Sequence, residues 1–199
     1  MSGSKIFNRW NNRCYEYKLV ARPGKQVKEK VTAQREYFHK EYNAKRDITS
    51  NSDITVANFI AKEEMENTVI RWIQRICRRH TSFMVSLNNY GGFPPHTIYL
   101  RIQDERPLLQ LGKELSVVNA YVTSCACPPM ITLPRPHLDI AENLSEGIFS
   151  RALPYYARQS FHESFMVNEL LLIKRRDEFD IGKTIIVFAL LPARGELVA

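Results

Sequence analysis

Apolar and polar residues alternate from Tyr15 to Val20, which predicts a strand that Pro23 and Gly24 then end. Val27, Val31, Phe38 and Tyr42 follow at near-fourfold spacing and mark one face of a long helix, with Lys25, Lys28, Lys30 and Arg35 on its solvated faces. Asp53 to Phe59 reads as a second strand, and Met65, Val69, Trp72 or Ile73, and Ile76 mark a second amphipathic helix. Phe83 to Leu87 is a further strand, Gly91 and Gly92 are expected to turn the chain, and HTIYLRI (96–102) returns. Its Ile98, Leu100 and Ile102 share one face, and Thr97, Tyr99 and Arg101 the other. Leucines 108, 111 and 115 with Val118 predict a third helix, and the loop CPPMITLPRP leads into a strand at His137. A helical or irregular stretch broken by Pro154, a long apolar strand around Phe165 to Ile173 and a final strand from Thr184 to Leu191 complete the chain. KRRDEFDIGK is expected to form a hairpin loop turned at Gly182. Short turns between neighbouring strands, mixed with helices, point to an α+β fold with antiparallel sheet rather than a doubly wound parallel one.

Composition narrows the class. At 199 residues, with 44% hydrophobic and 25% charged residues, the chain can bury a sizeable core. Residues 1 to 13 have no clear period and are expected to be a tail docking through Phe7 and Trp10, leaving 14–199 as a single domain. The net charge of +7 favours anionic partners such as phosphates. Cys14, Cys77, Cys125 and Cys127 lack the spacing of a zinc site, and no secretory leader pattern is present, so they are expected to be reduced thiols of a cytoplasmic protein. No apolar run is long enough to span a bilayer, so no membrane partner is expected.

Two short strands resemble each other. SDITVANF (52–59) and PHLDIAENL (136–144) align without a gap, placing Asp53 with His137, Ile54 with Leu138, Thr55 with Asp139, Val56 with Ile140 and Ala57 with Ala141. Strict alternation would turn Asp53, Thr55 and Ala57 to one face and Ile54 and Val56 to the other, and would sort the second strand the same way. Each strand would then carry a polar pair beside a small alanine.

A polar pair at spacing two on each of two repeated strands is similar to the two-histidine (2H) phosphoesterases, the superfamily of the bacterial 2',5' RNA ligases and cyclic nucleotide phosphodiesterases. Their signature is a histidine, a hydrophobic residue, then threonine or serine, once in each lobe. ITVANF before an amphipathic helix and FMVNELLLIKR before a final strand also resemble the family, over about residues 15 to 191. The resemblance implies a two-lobed, pseudo-symmetric fold of antiparallel sheets with helices packed outside and a central cleft. It also implies a monomer that needs no cofactor and whose partner is an RNA end or cyclic nucleotide phosphate.

In that family one histidine acts as base and the other as acid, and the hydroxyl residues hold the phosphate oxygens. Carried over by position, His137 is the surviving histidine and Thr55 the surviving hydroxyl. Asp53 stands where the other histidine belongs, and Asp139 where the other hydroxyl belongs. An ordinary aspartate is already ionised at pH 7, so it can accept a proton but not readily give one. A carboxylate about 5 Å from a phosphate charge costs roughly 3 kcal/mol at an effective dielectric near 20, so Asp139 should weaken the family mechanism. His137 and Asp53 are therefore the candidate catalytic residues, and Thr55, Asp139, Tyr99 and Arg101 the candidate substrate-binding ones. His96 precedes a threonine directly, on the opposite face of its strand, and is expected to be structural.

Three functions are compatible with these residues. One is a phosphoesterase with a variant, impaired site. Another is a non-catalytic RNA- or nucleotide-binding protein using the same cleft. The third is a divalent-metal site formed by Asp53, His137 and Asp139.

Overall fold

A computed structural model describes residues 14–44, 52–177 and 180–193. The expected docking residues Phe7 and Trp10 lie outside the described residues. Strand β1 (Cys14–Ala21) leads to helix α1 (Lys25–Tyr42), β2 (Ile54–Lys62), a single 3-10 turn and α2 (Glu66–Cys77). Then come β3 (Phe83–Phe93), β4 (Thr97–Ile102), α3 (Arg106–Glu114), α4 (Ser116–Ser124), the short β5 (Ile131–Thr132) and β6 (His137–Ala141). Helix α5 (Glu146–Tyr156) precedes β7 (His162–Val167), β8 (Glu169–Arg175) and β9 (Lys183–Ala189).

The strands form two antiparallel sheets, ordered β5-β2-β1-β8-β9 and β6-β4-β3-β7. This is the two-lobed, pseudo-symmetric α+β architecture that the resemblance implies. The repeat extends beyond the motif strands. β2 returns antiparallel to β1 after α1, and β6 returns antiparallel to β4 after α3 and α4. Each intervening helix crosses to the other sheet: α1 lies against β6 and β7, and α3 lies against β2. One continuous apolar core therefore joins both sheets, including Val31 and Phe38 of α1, Ile73 of α2, Leu108 and Leu111 of α3 and Leu138 of β6.

Four expectations need correction. Gly91 and Gly92 do not turn the chain, because β3 runs through them to Phe93 and the turn falls at 94–96. Their smallness serves close approach instead: a Cβ at Gly91 would lie 2.7 Å from the Tyr99 ring, and one at Gly92 2.8 Å from Leu153 of α5. The long apolar strand from Phe165 is two strands in different sheets, parted at Asn168, whose carbonyl accepts from the Leu190 amide at 2.8 Å. The leucine-marked third helix is broken at Leu115 into α3 and α4. Arg35 is not simply solvated, since its Nε and Nη2 both donate to the Asp139 carbonyl, at 2.8 and 2.6 Å.

Candidate functional site

Between the two sheets lies a cleft of about 280 Å³. It is lined on the first sheet by Lys18 and Val20 of β1, Asp53, Thr55 and Asn58 at β2, and Ile173 and Arg175 of β8. Thr97, His137, Asp139 and Glu142 line the second. Asp53, Thr55, His137 and Asp139, which the sequence pairs only by their similarity, thus share one cavity.

How these side chains come to face it differs from strict alternation. In β2 the register places Val20 opposite Thr55 but Leu19 opposite Ala57, so Val56 is an extra, bulged residue. In β6 it places Tyr99 opposite Asp139 but Ile98 opposite Ala141, so Ile140 is the extra residue. A bulge lets two consecutive residues on one strand oppose a single residue on its partner. Val56 with Ala57, and Ile140 with Ala141, accordingly all enter the core, at 4%, 0%, 2% and 4% exposure. The alanines expected beside the polar pairs are therefore buried behind them, and the next residue of each strand, Asn58 and Glu142, reaches the cleft instead. Continuing the ungapped alignment by one position pairs these two, which was the available signal for them. The same bulge at the same point of both motif strands is a backbone mark of the internal repeat.

Asp53 immediately precedes β2 and is held by Arg22, just after β1. Arg22 Nε donates to Oδ1 at 2.9 Å and Nη2 to Oδ2 at 2.8 Å, a two-pronged pair in which the Asp53 side chain is only 4% exposed. That hydrogen bond is the main cause holding the Arg22 guanidinium above its ordinary value.

His137 is oriented from both ends. Its Nδ1 lies 2.6 Å from the Arg135 carbonyl, which can only accept, so Nδ1 carries the proton. Nε2 lies 3.2 Å from Asp139 Oδ1, a buried oxygen with no other partner. Burial disfavours the charged imidazole, but the Asp139 carboxylate, the Arg135 carbonyl and Glu142 outweigh it and hold His137 above its usual value. The ring packs edge-on against Phe93 and tilted against Tyr99, with centroids 4.9 and 5.0 Å away.

The other sequence candidates sit nearby without lining the cavity. Tyr99 lies under His137 and stacks on Phe93 at 4.3 Å, while Arg101 donates to the Tyr90 carbonyl at 2.7 Å. His96, placed by alternation at the start of an apolar face, is exposed in the turn, where its Nδ1 lies 3.1 Å from the Leu144 carbonyl. Among the described residues, no three His, Cys, Asp or Glu side chains come together as a metal-holding group. Asp53, His137 and Asp139 thus line one cleft without converging on one point.

Residues 54–178 match the model of the 2'-5' RNA ligase superfamily, well over half of the chain. The chain belongs to that superfamily. Solved structures of its fold agree. E. coli LigT, crystallised with 3'-AMP, superposes with a TM-score of 0.67 at 16% identity, over 89% of this chain and 98% of LigT. A crystal structure described as a phosphoesterase gives 0.62 at 15% identity, over 92% and 99% of the two chains. The Thermus thermophilus protein TT0787 gives 0.60 at 14%, over 91% and 99%. Comparison with curated proteins returns no match. Within this 2'-5' RNA ligase fold, β2 and β6 carry the two segments that align with each other, and the cleft between them is the candidate site.

Proposed function

We propose that the cleft receives RNA ends or cyclic nucleotide phosphates and that phosphodiester hydrolysis there is impaired. The observation that carries this is the two-pronged Arg22–Asp53 pair, at the position where the family's other histidine belongs. With each carboxylate oxygen already accepting from the guanidinium and the side chain only 4% exposed, Asp53 is engaged within the protein rather than presented to a water or a leaving oxygen. His137 is then the proton-handling group left at the two histidine positions. A general acid or base contributes about 10²–10⁴ in rate, so loss of one of the two should slow turnover by that order. Thr55 remains as a hydroxyl for a phosphate oxygen, whereas Asp139 points a carboxylate at the imidazole. LigT has been crystallised with 3'-AMP, ATP, NADP+ and phosphate, which supports a nucleotide or phosphate ligand here.

Hydrolysis of 2',3'-cyclic AMP by the purified protein is the direct assay. Brisk turnover abolished by His137→Ala would refute impairment. Asp53→His with Asp139→Thr should create activity that the natural chain lacks. Adding Arg22→Gln should raise it further, because a guanidinium beside the new imidazole would hold it neutral. Saturable binding of 3'-AMP without turnover, unchanged by the restoring substitutions, would instead identify a nucleotide-binding protein.

A further inference from the structure

The two walls of the cleft carry different ionisable side chains. The second-sheet wall presents Asp139 and Glu142 around His137, while Asp53 on the other side is already neutralised by Arg22. Arg175 is likewise engaged, donating to Glu16 of β1. Lys18 is different: it lines the cleft from β1, the middle strand of its sheet, and has no ion-pair partner among the described residues. Its neighbours across the ladder are Asn58 on β2 and Ile173 on β8, neither of them charged. On the same face Val20, Leu171 and Ile173 form a separate small apolar cluster, and Ile131 and Ile181 line the opening at 62% and 58% exposure.

We infer that this wall is a nucleotide subsite, in which Lys18 Nζ holds a phosphate with Thr55 and Asn58 while the exposed isoleucines border the nucleoside. The assignment rests on the proposed function, because it concerns the ligand of that same cleft. It places the phosphate next to the Lys18 ammonium, on the wall opposite Asp139 and Glu142. Lys18 stands opposite Ile173 across the ladder, which gives its apolar stem an apolar neighbour. A site of this kind binds a phosphate without needing either motif to be complete.

The test is calorimetric titration with inorganic phosphate, adenosine 3'-monophosphate and adenosine, at low and high salt. Lys18→Met, which keeps the apolar stem, should weaken both phosphate ligands by about tenfold to a hundredfold, the range for a hydrogen bond to a charged group. It should also flatten the salt dependence, leave adenosine unaffected and be largely rescued by Lys18→Arg. Ile131→Ser should weaken adenosine 3'-monophosphate but not inorganic phosphate. Wild-type affinity in Lys18→Met, with a folded protein by circular dichroism, would overturn the inference. If that happens while His137→Ala abolishes binding, Lys18 fails and the cleft reading stands. If neither phosphate ligand binds the natural protein at millimolar concentration, both fall.

Discussion

Arg22→Met leaves the Asp53 carboxylate without either of its guanidinium donors, in a place where the side chain is only 4% exposed. Removing one partner of a buried ion pair costs about 3–5 kcal/mol, mostly because the remaining charge stays desolvated and unpaired. Arg22 itself is 33% exposed, so water can enter the space it vacates and replace part of the lost solvation. That brings the expected cost down to about 2–3 kcal/mol at pH 7. For a chain of this length each kcal/mol moves the melting temperature by about 2–4 °C, which gives a drop of roughly 5–10 °C.

A double-mutant cycle separates the charge from the packing. Asp53→Asn in the Arg22→Met background removes the stranded charge, so the double variant should recover at least half of the loss, with a coupling energy of about 1.5–3 kcal/mol. Urea denaturation followed by circular dichroism reads all four corners. Raising salt to about 1 M should leave most of the coupling in place, since a pair this buried is poorly screened. A coupling energy near zero, or an Arg22→Met variant within about 0.5 kcal/mol of the natural chain, would refute the claim that Asp53 is locked and with it the main ground for impaired hydrolysis.

Three further outcomes follow from the same geometry. His137 is held above its ordinary value in the folded state, so its contribution to stability is complete below about pH 6.5 and lost as pH rises through the folded value. Asp139→Asn should move its NMR titration to lower pH, since burial then dominates; an unmoved midpoint would exclude the pairing. Gly91→Ala should destabilise the protein by about 1–3 kcal/mol and shift the His137 ring resonances, because the new Cβ would lie 2.7 Å from the Tyr99 ring that supports His137. Tyr156→Phe should be neutral or stabilising by up to about 1 kcal/mol, because it deletes a buried hydroxyl with no partner; a clear loss in urea midpoint would reveal a bond that the geometry lacks.

The parts of the fold legible in the sequence are those where a single periodicity runs uninterrupted. α1 keeps Val27, Val31 and Phe38 on one buried stripe, and β4 alternates Ile98, Leu100 and Ile102 inward without a break. Where two physical roles overlap, the pattern misleads. Glycine reads as a turn former, yet in β3 its value is the missing Cβ that admits Tyr99 on one side and α5 on the other. The apolar run through Leu170 to Ile173 is continuous because β8 is buried on both faces, one toward the main core and one toward Val20, so nothing in its composition reveals the change of sheet at Asn168. At the site, the pairing of Asp53 with His137 and of Thr55 with Asp139 was legible from alignment. Lys18 and Arg22 were not, because what matters there is the partner each side chain finds or lacks across the sheet.

The repeated bulge bears on what each lobe presents to the cleft. It fixes, in each motif strand, three positions that reach the cleft: 53, 55 and 58 in one lobe and 137, 139 and 142 in the other. The extra residue between the second and third positions is buried in both, so the aim of each side chain is set by the core rather than by the cleft residues themselves. Chemistry at these six positions can therefore change without disturbing the backbone. The lobes hold Asp, Thr and Asn against His, Asp and Glu, and each aspartate has a partner within the protein: the Arg22 guanidinium for Asp53, and the imidazole of His137 for Asp139. Two bare carboxylates facing a phosphate would be self-defeating, but Asp53 and Asp139 each have a partner within the protein, and the proposed phosphate position lies beside Lys18 on the other wall from Asp139. Under the proposed function, ligand binding and proton transfer are separable. Substitutions that restore the second should leave the first intact unless they alter the first-sheet wall.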